Sequence, residues 1–132
     1  MFFIDTTFLL RISYEKDHWH DNAQKLIPKI KNQIVWISNI ILIETLNGLS
    51  DFLNGKQLEN MYQFLNENYN IYRVDKQLQD KAIKISEKYN GALGFAECIP
   101  IAIMEEIDMN EIISFNKHFD NKDGIISKGT NG

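Results

Sequence analysis

Four polar side chains from four distant stretches carry the chemistry that this sequence offers: Asp5, Glu44, Glu97 and Asn116. Asp5 directly follows the apolar run "FFI", and Asn116 follows "IISF", so both stand where a buried strand gives way to a polar segment. Glu44 lies in "IILIETL" and Glu97 in "LGFAECIPIA", each within an apolar helical stretch. A carboxylate buried there without a partner costs roughly several kcal/mol, so a cation or a donor is expected to meet each one. In open α/β sheets, ligands settle beyond the carboxyl ends of the strands, which gives the four groups one place to converge. Hard oxygen donors gathered in this way suit Mg²⁺ or Mn²⁺, ions that favour carboxylate and water oxygens and can bridge a phosphodiester to an attacking water.

Each residue also has a plainer explanation. Asp5, followed by Thr6 and Thr7, has the residue type of a helix N-cap. Glu44 and Glu97 can point outward from helices with imperfect apolar stripes, and Asn116 is an ordinary turn residue. Convergence of the four is what separates a site from these separate roles. A covalent phosphohydrolase using Asp5 as nucleophile is the poorer reading, because Thr7 occupies the place where its second acid is expected.

The elements that must position these groups alternate in type. Apolar runs at 2–4, 34–37, 70–74 and 111–115 read as strands. Helical spacing appears in "HDNAQKLIPKIK", which Pro28 kinks unless it is two pieces, and in "IILIETLNGLSDFL", for which Ser38 and Asn39 offer a cap. It recurs in "KQLENMYQFLNENY", in "KQLQDKAIKISEKYN" capped by Asp75, and in "GALGFAECIPIAIMEEI", where Pro100 is expected to introduce a bend. Strands alternating with helices predict a mostly parallel sheet covered on both sides. The segment 121–132 suggests a short terminal strand, with about 127–132 as a loose tail.

The chain of 132 residues, 44% of them hydrophobic, suits a single domain over 1–132 with one core. Its single cysteine, Cys98, forms no internal bridge and is expected to pack as a small hydrophobe, which fits a reducing, cytoplasmic setting. The apolar amino terminus is interrupted by Asp5 and lacks the flanks of a signal peptide, and "IVWISNIILIETL" falls short of the ~20 residues that a membrane helix needs. No membrane association is expected. A net charge of −4 argues against binding nucleic acid by bulk attraction, so a phosphate-bearing substrate needs a local cation or a few basic side chains.

The segments "FFIDTTFLL", "HDNA", "SNIILIETLNGL", "LGFAECIPIAIM" and "IISFNKHFD" resemble, in order and at about the same spacing, those of the PIN domain family, particularly the VapC-type toxin ribonucleases. The resemblance implies a three-layer α/β/α sandwich and cleavage of single-stranded RNA with Mg²⁺ or Mn²⁺ held by three or four acids. By position, Asp5, Glu44, Glu97 and Asn116 match the first to fourth acids, Thr6 or Thr7 matches the hydroxyl after the first, and Ser114 matches the hydroxyl before the fourth. Two positions depart from the pattern, since Glu97 and Asn116 stand where the family usually has Asp. Asp120 is a candidate to replace the lost charge as a metal ligand, with Asn116 as an outer-sphere ligand. The resemblance also implies a homodimer and an antitoxin protein as partners. A catalytically weak PIN domain that binds RNA or protein without cutting is the alternative.

Around this cluster, His18 and His20 are expected in surface or capping roles, and His118 in an exposed loop. Arg11, Lys16 and Lys117 are candidate phosphate contacts by neighbourhood. Tyr14 and Trp19 are candidates either for stacking on bases or for packing.

Overall fold

The computed structural model describes residues 1–14, 20–120, 122 and 124–129. Lys16, His18, Trp19 and the last three residues of the expected tail lie outside the described residues. The chain begins with β1 (Phe2–Ile4), α1 (Thr6–Ser13), the short helices α2 (His20–Gln24) and α3 (Ile27–Ile30), and β2 (Val35–Ser38). It continues through α4 (Asn39–Leu49), α5 (Gly55–Asn68), β3 (Asn70–Tyr72), α6 (Lys76–Lys88) and α7 (Phe95–Ile107). It ends with β4 (Glu111–Ser114), a 3-10 turn (Lys117–Phe119) and β5 (Ile126–Gly129).

The sheet has the order β3-β2-β1-β4-β5, and every neighbouring pair is parallel. From β1 the chain steps outward through β2 to β3, then crosses back over β1 to reach β4. Right-handed crossovers in opposite directions lay their helices on opposite faces, which gives the sandwich three layers. The direction reverses between β1 and β4, and the crevice beyond the carboxyl ends of those two strands is the natural ligand position in such a sheet.

β1 is buried along its length because it lies at the centre of the sheet, and Phe3 and Ile4 are inaccessible to solvent. From Cys98 to Met104 every residue of α7 is buried, as expected of a helix apolar on all sides. Cys98 packs there as a free thiol whose pKa burial raises, with the charge of Glu97 adding to the effect. On the other side α1 packs against α2 and α4. Gly48 permits that approach, since a Cβ there would stand 2.8 Å from Leu10 Cδ2.

The expected caps are present: Ser38 Oγ accepts from the Ile41 N–H, and Asp75 Oδ1 from the Leu78 N–H. Asn54 and Gln57 add a reciprocal capping box that opens α5 one residue before the expected helix. The run around Pro28 takes the two-piece form that the sequence allows, with the proline in the first turn of α3, where its missing N–H costs nothing. Other boundaries differ from expectation. Residues 91–94 are not helical, because Gly91 adopts φ 81° and Gly94 serves as the N-cap of α7; that helix then runs through Pro100 to Ile107. Residues 127–129, assigned to a loose tail, belong to β5 and pair along β4. At its end Gly129 has φ 121°, and a Cβ there would lie 2.6 Å from the Ser114 carbonyl oxygen.

Candidate active site

Beyond the carboxyl ends of β1, β2 and β4 lies a cleft of about 240 Å³, and Asp5, Glu44, Glu97 and Asn116 all line it. Asp120 is not among its lining residues; it closes the 3-10 turn.

Asp5 holds the N-cap position of α1 but its side chain caps nothing. Its backbone does the helical work, with the carbonyl accepting from the Phe8 and Leu9 N–H groups and the N–H donating to the Ile113 carbonyl on β4. The carboxylate is turned into the cleft and held by two hydroxyls, Thr7 Oγ1 at 2.9 Å and Ser114 Oγ at 2.8 Å, both donating to Oδ2. Each hydroxyl is itself oriented by a backbone donor: the Phe115 N–H reaches Thr7 Oγ1, and the Asn116 N–H reaches Ser114 Oγ. A hydroxyl has one proton to give, so this arrangement commits both protons to Asp5. Oδ1 is left without a hydrogen-bond partner among the described residues.

Glu44, on α4, stands at the open side of the cleft. The residue is exposed, the outward-pointing alternative and not the buried helical carboxylate. Thr6 Oγ1 donates to its Oε1 at 3.4 Å, a weak contact. Partial burial of the carboxyl, and then the negative charge of Asp5, raise its pKa above the ordinary value, against a smaller opposing effect from Thr6. A pair of neighbouring carboxylates with oxygens free toward the cleft is a place where positive charge is favoured.

Glu97 forms the opposite wall and is held differently. At the third position of α7 it reaches back so that Oε1 accepts from the Gly94 N–H at 2.8 Å. Its Oε2 accepts from Asn116 Nδ2 and lies 2.7 Å from His118 Nδ1. Burial works to raise this carboxyl's pKa, but the donors at Gly94, Asn116 and His118 outweigh it and hold the pKa below the ordinary value. Asn116 Oδ1 in turn accepts from the His118 N–H and so caps the 3-10 turn. The amide therefore has its oxygen toward a donor and its nitrogen toward a carboxylate, an orientation that a flip would reverse at both ends.

Sequence reasoning named Asp5, Glu44, Glu97 and Asn116, all of which line the cleft, and, through the resemblance, Thr6 or Thr7 and Ser114. It missed the contact between Glu97 and His118, which no spacing in the sequence signals, and Ser38, which lines the cleft as well as capping α4. His20 is buried rather than on the surface, its Nδ1 within 2.8 Å of the Arg11 carbonyl. Arg11 lies over the Phe115 ring at 4.5 Å, and Tyr14 stacks on Phe52, also at 4.5 Å, so both make contacts within the chain. Lys117 is exposed beside the cleft wall.

Among the described residues no group of three or more His, Cys, Asp or Glu side chains is close enough to enclose a metal. The Asp5–Glu44 pair nevertheless fits Mg²⁺ or Mn²⁺, because Mg²⁺ commonly takes one or two carboxylates and completes its shell with water and substrate phosphate.

The sequence profile of the PIN domain matches residues 2–125. Among solved structures, the fold is similar to VapC20 of Mycobacterium tuberculosis, a Sarcin-Ricin loop cleaving toxin. The TM-score is 0.80 at 19% identity, covering 96% of this chain and 97% of that one. It is also similar to a toxin-antitoxin complex from Klebsiella pneumoniae, with a TM-score of 0.73 at 16% identity and 96% of each chain covered. VapBC2 of Rickettsia felis, bound to a DNA fragment from its promoter, gives a TM-score of 0.67 at 14% identity, again covering 96% of each chain. Comparison with curated proteins yields no sequence match.

Proposed function

Because this chain belongs to the PIN domain family, we propose that its cleft is the active site of a metal-dependent endoribonuclease that hydrolyses phosphodiester bonds in single-stranded RNA. The observation that carries the reading is the Asp5–Glu44 pair: one carboxylate fixed by two hydroxyls, the other raised in pKa by partial burial and then by its neighbour, both lining the cleft.

In this reading Asp5 and Glu44 hold Mg²⁺ or Mn²⁺, and Glu97 and Asn116 complete the site from the other wall. The ion, when bound, neutralises phosphate charge and makes a water acidic enough for in-line attack near neutral pH. Ser114 and Thr7 hold the Asp5 carboxylate fixed, so that no reorganisation is needed when substrate arrives. Thr6 steadies Glu44 at the mouth. Exposed Lys117 and His118 are the basic side chains that the far wall would offer to an RNA backbone. Asp120 would join the site only by a rearrangement of the 3-10 turn.

The fold likeness to toxin-antitoxin complexes supports a toxin role with an antitoxin protein as partner, and a second copy of the chain is the other partner in this reading. Ile43 on α4 and Tyr62 and Phe64 on α5 are exposed apolar side chains suited to such contacts. No helix among the described residues is long and apolar enough to cross a membrane.

The test is cleavage of a mixed single-stranded and structured RNA pool with Mn²⁺, with Mg²⁺ and with chelator, beside an Asp5→Asn control purified identically. The expected result is cutting of single-stranded regions that needs metal and vanishes with the substitution. Equal behaviour of wild type and control in every condition would overturn the nuclease reading. RNA binding without cutting would then favour the binding module, a reading in line with the donors already gathered on Glu97.

A further inference from the structure

We propose that Glu97, Asn116 and His118 form a clasp fastening the start of α7 to the turn after β4, so that Glu97 positions the far wall while Asp5 and Glu44 are the carboxylates open to a divalent cation. The part concerning the ion rests on the ribonuclease reading; the clasp does not.

Three observations carry the inference. First, both Glu97 oxygens are committed: Oε1 to the Gly94 N–H, and Oε2 to Asn116 Nδ2 and His118 Nδ1. Oε2 already takes two donors, so an ion entering there would have to displace charge-assisted hydrogen bonds, which are about twice as strong as neutral ones, and Oε1 is tied to the start of the helix. Second, position 116 must donate to Glu97 and accept from the His118 N–H at the same time. An amide does both, whereas an ionised Asp is acceptor-only and would set a second negative charge against Glu97. Third, the longer arm of Glu97 lets a residue in the first turn of α7 reach the N–H of the N-cap residue. The two departures from the family pattern are therefore one feature. Asn116 is the donor that Glu97 requires, and Glu97 is the acceptor that makes an amide at 116 useful. On the other wall Asp5 Oδ1 has no such partner among the described residues.

The test follows the Gly94 backbone amide and the Asn116 side-chain amide by ¹⁵N NMR during a titration with Mg²⁺ alone, using the full chain. In the metal-free protein both signals should move in Glu97→Ala relative to wild type, with Glu97→Gln, which keeps an acceptor for Gly94, restoring the Gly94 signal. Unmoved signals in Glu97→Ala would overturn the clasp. Under saturating Mg²⁺ the wild-type signals should keep their clasped positions, and Glu97→Gln should bind Mg²⁺ within about threefold of wild type. Asp5→Asn and Glu44→Gln should each weaken binding about tenfold or more, the scale on which even an outer-shell partner is felt. Migration of the wild-type signals to their Glu97→Ala positions on adding Mg²⁺, with a tenfold loss in Glu97→Gln, would overturn the proposal by making Glu97 a ligand. Mg²⁺ binding itself is read by calorimetry on the same samples; if wild type shows no saturable heat, the ribonuclease reading fails, while the metal-free spectra still decide the clasp.

Discussion

The two walls of the cleft present carboxylates in opposite states. On the α1–α4 side, Asp5 is fixed through one oxygen only, and Glu44 has its pKa raised by partial burial and by Asp5. On the α7 side, Glu97 has donors on both oxygens and a lowered pKa. Residue type alone does not make a ligand: the first wall lacks positive charge, and the second has already gathered its donors. On the proposed reading, a cation would complete the first and disrupt the second.

The comparison breaks most completely at Asp5. Asp5→Asn keeps an acceptor for the Thr7 and Ser114 hydroxyls but removes the charge, and RNA cleavage should fall by at least ~100-fold, the equivalent of about 3 kcal/mol of transition-state stabilisation. Turnover within tenfold of wild type would show that the first wall is not the working one. Next comes Ser114, which is fully buried and serves both Asp5 and the Asn116 N–H. Ser114→Ala should cost about 1–3 kcal/mol in chemical denaturation, by orphaning a buried donor, and lower cleavage by ~10–100-fold through the loosened Asp5. Unchanged stability would mean that the network does not constrain the site.

Asn116→Asp sharpens the contrast by making the second wall resemble the first. With two carboxylates face to face the metal-free melting temperature should drop, and Mg²⁺ affinity read by calorimetry should rise as the clasp opens. An unchanged affinity would count against the account.

The smallest effects are in the pH dependence. The lowered pKa of Glu97 means that its stabilising contribution is present above the ordinary value of 4.5 and is lost as pH falls through the folded-state pKa below it. Glu44 has the reverse sign: its contribution is present below 4.5 and is lost as pH rises through a folded-state pKa above that value. Without metal at neutral pH, Glu97→Gln should therefore melt below wild type and Glu44→Gln slightly above it, with both differences shrinking in acid. Because Glu44 is exposed, its shift should be the smaller, and the same sign for both variants would contradict the division.

Much of this arrangement is legible in the sequence, because strand ends and caps are local. "FFI" before Asp5, "IISF" before Asn116, and the Ser38 and Asp75 caps all depend on residues within four positions of one another. The parallel sheet follows from alternation of elements, and its reversal at β1 brings the four lining residues to one crevice. The loss of helix at 91–94 was less legible, since an apolar "GALGF" continues the helical pattern while Gly91 and Gly94 end it through backbone conformation. The exposure of Glu44 and the burial of His20 depend on which face of a helix its neighbours cover, which spacing does not settle when the apolar stripe is broad. The clasp was illegible for a stronger reason. Whether Asn116 offers its oxygen or its nitrogen to the cleft depends on Glu97 and His118 being there, and that depends on α7 and β4 being packed together.

The most direct measurement is a crystal structure of the chain grown with Mn²⁺, with the ion located by its anomalous scattering. The predicted result is a peak in the cleft at Asp5 and Glu44, with Glu97 still held by Gly94, Asn116 and His118. A peak bound directly to Glu97, with the Asn116 amide turned away, would contradict the division of labour between the two walls.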